Sequence, residues 1–136
     1  MSNRIKDKIK EIEKLLEEIE GIIPEKFEIY ASDFKTKAAC ERYAEKIAES
    51  AVDLAFLIIK DKGLKIPEEE ASSFDILAKE GVITADLAEN LKKAKGMRNI
   101  LAHEYGEIDD EIVFNAITEE LVGDITEFIK NVERLR

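Results

Sequence analysis

The sequence predicts an all-α protein, an antiparallel up-and-down bundle of four long helices and one short helix. Apolar residues recur at steps of three and four along most of the chain, which is the spacing of one helix face. Only two prolines and six glycines occur among the 136 residues, and they fall where helices are expected to end. No segment alternates apolar and polar residues as a strand would. The length suits one domain, so we expect a single helical-bundle domain over residues 1–136.

The first predicted helix is RIKDKIKEIEKLLEEIEG, which Gly21 is expected to end. Pro24 then suits the start of a short turn, PEKFEIYA, and Ser32 and Asp33 are candidate N-caps for the next helix. The apolar stripe of the first helix consists of Ile5, Ile9, Ile12, Leu16 and Ile19.

The longest helical pattern runs from about Phe34 to Lys62, and its second half, AVDLAFLII, is apolar almost all the way round. Such a helix either lies at the centre of the bundle or is shared between the core and a partner subunit. Asp53 is the only charged residue in that run, and burying it unpaired would be costly. We therefore consider Asp53 as a partner of Arg98, with a surface-facing Asp53 as the alternative.

Three further helices complete the pattern. The segment SSFDILAKEG predicts a short helix that ends at Gly81. Thr84 can cap the next one, ADLAENLKKAKGMRNILAHEY, which we expect Gly106 to stop. The last helix covers IDDEIVFNAITEELVGDITEFIKNVERLR, opened by Asp109 and Asp110, whose negative charges are favourable at a helix N-terminus.

Composition restricts the function. A formal charge of −10 argues against a surface that binds nucleic acid everywhere, although one local basic site remains compatible with it. Lys92, Lys93 and Lys95 form the most basic short stretch, so we expect RNA to bind there if it binds at all. The lone Cys40 allows no internal disulfide, and the chain shows no secretory signal or membrane-spanning run. We therefore expect a cytoplasmic protein that does not contact a membrane.

The segment MRNILAHEYG carries the only histidine of the chain, together with Arg98, Asn99 and Tyr105. The imidazole of His103 can take a proton from a ribose 2′-hydroxyl or give one to a leaving oxygen. The Arg98 guanidinium can hold a phosphate and stabilise its growing charge, while Asn99 can orient His103 or contact a phosphate oxygen. The competing interpretation is an ordinary polar helix end, with His103 favoured by the helix dipole and Arg98 paired with a carboxylate.

Helix geometry predicts that the side chains of Arg98 and His103 point in different directions from one helix. Arg98 and His103 lie five residues apart, which places them roughly 140° apart around a helix axis. One copy of the helix would therefore make a strained site, whereas two copies facing across a two-fold axis could each contribute both residues to one groove. A lone histidine without a cysteine pair predicts no metal site, and no glycine-rich phosphate loop or other cofactor motif is present.

The segment MRNILAHEYGEID resembles the R-N-x-x-x-H-x-Y signature of the HEPN superfamily, and of HepT-like toxins in particular. The resemblance extends over roughly residues 33–117, through the long second helix, a GL…P loop, the FDILAKEGVI segment and the signature helix. It implies a HEPN bundle that forms a homodimer, a metal-independent ribonuclease whose catalytic pair is Arg98 and His103, and a supporting role for Asn99. It also implies a partner, a minimal nucleotidyltransferase antitoxin of the MntA type, which modifies Tyr105 with adenylyl groups.

The sequence therefore predicts an RNA endonuclease toxin. An alternative from a different class is a non-catalytic nucleotide- or substrate-binding subunit of a minimal nucleotidyltransferase, which the acidic net charge favours. A plain helical scaffold is a third possibility.

Overall fold

The computed structural model describes residues 2–102 and 109–135, and within these ranges all regular secondary structure is helical. This confirms the predicted all-α bundle, whereas His103, Tyr105 and Gly106 lie outside the described residues. The elements are α1 (Asn3–Ile22), α2 (Phe27–Ser32), α3 (Phe34–Asp61), α4 (Ser72–Lys79), α5 (Ala85–Ala102), α6 (Asp110–Asn115), a π-helical turn (Ala116–Leu121) and α7 (Val122–Glu133).

The segment predicted as a turn, PEKFEIYA, contains the short helix α2, so the described residues include two short helices before α5 rather than one. Local sequence gives little reason for a helix here, and tertiary burial supplies it: Tyr30 of α2 is completely buried. Its ring packs 5.1 Å from that of Phe114 and 6.4 Å from that of Phe27, measured between centroids. Asp33 caps α3, accepting hydrogen bonds from the backbone N–H groups of Lys35 and Thr36.

The long helix α3 lies at the centre of the bundle, where α1, α2, α4 and α5 all pack against it. In AVDLAFLII only Asp53 is exposed, while Phe56 and Leu57 are half-buried and the other residues are buried. The run therefore lies at the centre of the bundle, which is the first of the two interpretations. Packing within the chain already buries most of its apolar side chains. Despite that character, neither α3 nor any other helix in the described ranges is long and apolar enough to cross a membrane.

The ends of the helices around the site follow from local chemistry. Gly63 and Gly81 adopt φ angles of +69° and +77° after α3 and α4, a conformation that glycine adopts without steric cost. At the start of α5 the Thr84 hydroxyl accepts a hydrogen bond from the Leu87 N–H at 3.1 Å, which confirms the predicted cap. Asp109 caps α6 in the same manner, accepting from the N–H groups of Glu111 and Ile112.

The predicted last helix is one helical run that contains a π-helical turn at Ala116–Leu121. Ile117, Leu121 and Ile125 are all buried, although they follow one another at steps of four. In a regular α-helix each such step rotates the side chain about 40° further round the axis. The wider turn offsets part of that drift and keeps the three side chains in the core.

Candidate active site

Arg98 and Asn99 lie in the second half of α5, and their side chains contact each other. The Arg98 Nη1 group donates a hydrogen bond to Asn99 Oδ1 at 3.1 Å. Its Nη2 atom lies 3.6 Å from Oε1 of Glu49 on α3, an ion pair in which the Arg98 side chain is 25% exposed. The guanidinium is thus held by one neighbour on its own helix and by one carboxylate from the central helix.

Asp53 does not pair with Arg98, and this hypothesis from the sequence is wrong. The Asp53 side chain is 57% exposed and lies 3.6 Å from the Nζ atom of Lys8 on α1. Asp53 thus contacts α1 rather than α5, and Lys8 compensates its charge there. We therefore remove Asp53 from the site.

Glu49 takes the place that the sequence assigned to Asp53. The two carboxylates stand one helical turn apart on α3, so they share one exposed face. A search for carboxylates at i±4 from Asp53 would have found Glu49, but periodicity alone does not state which of the two faces α5. That choice depends on how α1 and α5 pack on the two sides of α3.

The three lysines of α5 have different surroundings. Lys92 bridges α4 and α5: its Nζ lies 3.0 Å from Glu89 Oε1 and 3.1 Å from Asp75 Oδ1, and hydrogen bonds to these carboxylates raise its pKa. Its charge is therefore compensated. Lys93 is exposed and Lys95 is half-buried, and neither forms an ion pair with the residues that the structure describes.

Beyond the segment 103–108, which carries His103 and Tyr105 and is outside the described residues, the chain is fixed at the start of α6. The Nζ atom of Lys37 on α3 lies 3.1 Å from Oδ2 of Asp110, and both groups are largely buried. The aromatic rings of Tyr30 and Phe114 pack beneath this ion pair at the junction of α2 and α6. The signature segment is thus attached at both ends to rigid helices, α5 and α6.

The same junction buries two titratable groups without charging them. Cys40 is completely buried, and burial raises the pKa of its thiol to about 11. The Tyr30 hydroxyl is buried and has no hydrogen-bond partner among residues 2–102 and 109–135, and burial raises its pKa as well. Both groups stay neutral at pH 7, so Cys40 behaves as a small apolar core residue, as the sequence suggested.

An apolar groove of about 570 Å³ separates α5 from α6. Its walls include Ile100 and Ile112, which are 59% and 66% exposed, and its floor includes Met97 and Val113. The second half of α5 is correspondingly open, because Ala94, Met97 and Leu101 of its predicted apolar stripe are only partly buried.

The described part of the site is therefore suited to binding an anion. It offers the Arg98 guanidinium, the Asn99 amide, and Lys93 and Lys95, all on one stretch of α5, with Lys93 also interacting electrostatically with Asp124. Within residues 2–102 and 109–135 no three His, Cys, Asp or Glu side chains are grouped closely enough to hold a metal ion.

The order of the helices and the Arg–Asn pair on α5 define a HEPN-type toxin fold. A solved structure of the tri-AMPylated Shewanella oneidensis HEPN toxin in complex with MNT antitoxin superposes with a TM-score of 0.92 at 28% identity. The match covers 99% of this chain and 100% of that one. A second structure, a toxin–antitoxin with AMP-PNP, superposes with a TM-score of 0.90 at 27% identity, covering 98% and 100% of the two chains.

Residues 9–132 match the family described as Ribonuclease HepT-like, and the chain belongs to this family. It is 30% identical to the mRNA nuclease HepT of Shewanella oneidensis over 95% of this chain and 96% of that protein. It is 39% identical to a putative RNase of Archaeoglobus fulgidus, where the alignment covers 62% of this chain and less than two thirds, 63%, of the relative. A tRNA nuclease HepT of Aphanizomenon flos-aquae is 32% identical over 65% of this chain and 60% of its own length.

These similarities confirm the toxin-type ribonuclease that the sequence predicts, in preference to the non-catalytic binding subunit. They also confirm the resemblance to HepT-like toxins on which that prediction rested.

The buried thiol predicts a specific pH dependence of stability. Because the folded state raises the pKa of Cys40 from 9.0 to about 11, the neutral thiol contributes stability that is complete below pH 9 and is lost as pH rises towards 11. We expect the free energy of unfolding, measured by urea titration, to fall less steeply between pH 9 and 11 in Cys40→Ala than in the wild type, by about 1–3 kcal/mol over the window. Parallel curves for the two proteins would contradict this assignment.

Proposed function

We propose that this chain is the endoribonuclease toxin of a toxin–antitoxin pair and that it cleaves RNA without a metal ion, using Arg98 and His103 as its catalytic pair. The observation that carries the proposal is the Arg98 guanidinium, which contacts Asn99 and Glu49 and follows the lysine-rich stretch of α5 in an otherwise acidic chain. Membership in a ribonuclease family supplies the reaction class. We place the activity in the cytoplasm, where RNA is available.

The proposed reaction is an in-line attack of a ribose 2′-oxygen on the adjacent phosphorus. His103 removes the 2′-hydroxyl proton, the P–O5′ bond breaks, and the leaving 5′-oxygen receives a proton from an imidazolium. Arg98 binds the phosphate oxygens and stabilises the charge that develops on them, with Asn99 as a supporting contact. The products are a 2′,3′-cyclic phosphate and a 5′-hydroxyl, so atoms balance without an external cofactor.

RNA binding is proposed to be local. The formal charge of −10 repels a polyanion over most of the surface, so we place the RNA contacts at Arg98 and the lysines of α5. Lys93 and Lys95 form no ion pair within the described residues and are the first candidates, whereas Lys92 would have to leave its contacts with Asp75 and Glu89 to bind RNA. One relative is named an mRNA nuclease and another a tRNA nuclease. We therefore propose RNA as the class of substrate.

We further propose that a minimal nucleotidyltransferase antitoxin adenylylates Tyr105 and thereby inactivates the toxin. The supporting observation is a similar HEPN toxin that is AMPylated and bound to its MNT antitoxin. Tyr105 follows His103 by two residues, so an adenylyl phosphate on it would be covalently close to the catalytic imidazole. Its negative charge would repel the RNA backbone, and its bulk would obstruct access to the site.

The site is proposed to be completed by a homodimer built on the α5–α6 groove. Exposed apolar side chains such as Ile100 and Ile112 are costly in water, and together they form a contiguous patch on the open face of α5. Covering that patch with the same patch of a second copy would give an isologous two-fold interface. It would also place two copies of His103 along one cleft, so that one can act as base and the other as acid.

For the catalytic pair we expect purified protein to degrade RNA in the presence of EDTA, leaving 2′,3′-cyclic phosphate ends. His103→Ala and Arg98→Ala should each lower the cleavage rate at least about a hundredfold, because each removes a group that acts on the reacting phosphate. Equal cleavage by the wild type and both variants would identify a contaminating nuclease instead. A substrate with a 2′-deoxyribose at the cleaved position should resist cleavage.

The same assay tests the lysines. Lys93→Ala and Lys95→Ala should each raise KM and reduce the salt dependence of RNA binding, whereas Lys92→Ala should change neither, because its charge is already compensated. An effect of Lys92→Ala equal to that of Lys93→Ala would show that the three lysines act as one general charge.

For Tyr105, intact mass and peptide mapping of protein coexpressed with the neighbouring nucleotidyltransferase should show adenylyl groups on this residue. The modified protein should no longer cleave RNA, and Tyr105→Phe should stay unmodified while its cleavage persists in the presence of the partner. An active partner that leaves Tyr105 without added mass would refute this regulation.

For the homodimer, light scattering at micromolar concentration should give the mass of two chains for the wild type and of one chain for Ile100→Glu or Ile112→Glu. The matched control is Ile66→Glu, a substitution of an isoleucine that is 47% exposed in the segment between α3 and α4, and it should stay dimeric. A monomeric wild type would contradict the shared cleft.

A further inference from the structure

Two carboxylates on the same face of α3 contact different cations. Glu49 and Asp53 stand one turn apart, and their side chains are 48% and 57% exposed. Each lies 3.6 Å from a positively charged nitrogen: Glu49 from Arg98 on α5, and Asp53 from Lys8 on α1. The two acids are therefore closely matched in position, exposure and pairing distance, but only Glu49 contacts a residue of the proposed catalytic pair.

We propose that Glu49 is a positioning residue that fixes the Arg98 guanidinium for phosphate binding, an inference that rests on the proposed ribonuclease function. Asn99 holds the Nη1 group from α5 itself, and Glu49 approaches the Nη2 group from α3. An arginine side chain has several rotatable bonds and loses considerable rotamer entropy when it is immobilised. Contacts from two helices immobilise it before RNA arrives, so this entropy is not lost again in the transition state.

The Glu49–Arg98 ion pair is expected to stabilise the fold only weakly, so an experiment can distinguish a positioning role of Glu49 from a structural one. The Glu49 side chain is half exposed, and such pairs contribute little to stability because water screens them. Removing the charge of Glu49 therefore leaves the fold intact while it releases the guanidinium. The carboxylate also opposes the approach of a phosphate, so its removal lets RNA bind as well as before or more tightly, although cleavage becomes slower.

The experiment compares Glu49→Gln with Asp53→Asn in the full-length protein, using a defined RNA oligonucleotide. Each substitution removes one negative charge from the same face of α3 and keeps the size of the side chain. We expect Glu49→Gln to lower kcat roughly two- to fivefold, in keeping with a weak ion pair, with an unchanged or lower KM. Asp53→Asn should keep the wild-type kcat, and both variants should keep the wild-type unfolding midpoint.

A double-mutant cycle shows whether Glu49 acts through Arg98. In an Arg98→Lys background, where no guanidinium remains to be positioned, Glu49→Gln should lower kcat no further. A full additional loss in that background would overturn the proposal, and so would wild-type kcat in Glu49→Gln or equal losses in Glu49→Gln and Asp53→Asn.

The same assays distinguish a failure of the proposed ribonuclease function from a failure of the positioning role of Glu49. If the wild type does not cleave RNA, or if Arg98→Ala cleaves as fast as the wild type, the ribonuclease assignment to this site is wrong and the role of Glu49 falls with it. If the wild type cleaves and Arg98→Ala does not, the result for Glu49→Gln decides the positioning role alone.

Discussion

The burial of α3 is the constraint on which the rest of the molecule depends. Four helices pack around it, and the apolar residues of its second half supply much of the common core. Because α1 and α5 contact α3 from different sides, its few exposed polar residues become the points at which these helices interact electrostatically. Arg98 on α5 is therefore contacted by a helix that carries neither residue of the proposed catalytic pair.

Electrostatics then restricts where an anionic substrate can bind. An acidic protein that acts on RNA has to present cations locally while the remaining surface repels the polymer. Within the part of the chain that the structure describes, Lys8, Lys37 and Lys92 are paired with nearby carboxylates. Arg98 is also paired, through a half-exposed contact that a phosphate can approach, and this is compatible with the role that we propose for it in phosphate binding.

The proposed catalytic residue Arg98 and the proposed dimer surface adjoin on the open face of α5. Its first half is buried by α3 and α4, whereas its second half carries both the Arg98–Asn99 pair and the exposed Ile100. The groups that would act on RNA thus lie next to the apolar surface that we propose for a second copy. A modification close to this face would affect both the access of substrate and the proposed dimer interface, because the two surfaces adjoin.

The sequence by itself determined the helical class, the ends of most helices and the Arg98, Asn99, His103 and Tyr105 motif, because periodicity, capping residues and motif spacing are local properties of the chain. It could not determine that PEKFEIYA contains a helix, since the burial of Tyr30 against Phe114 joins residues more than eighty positions apart. Nor could it choose between Glu49 and Asp53, or separate Lys92 from Lys93. Those choices depend on which neighbouring helix each side chain meets, and only the packing of α1, α4 and α5 around α3 decides that.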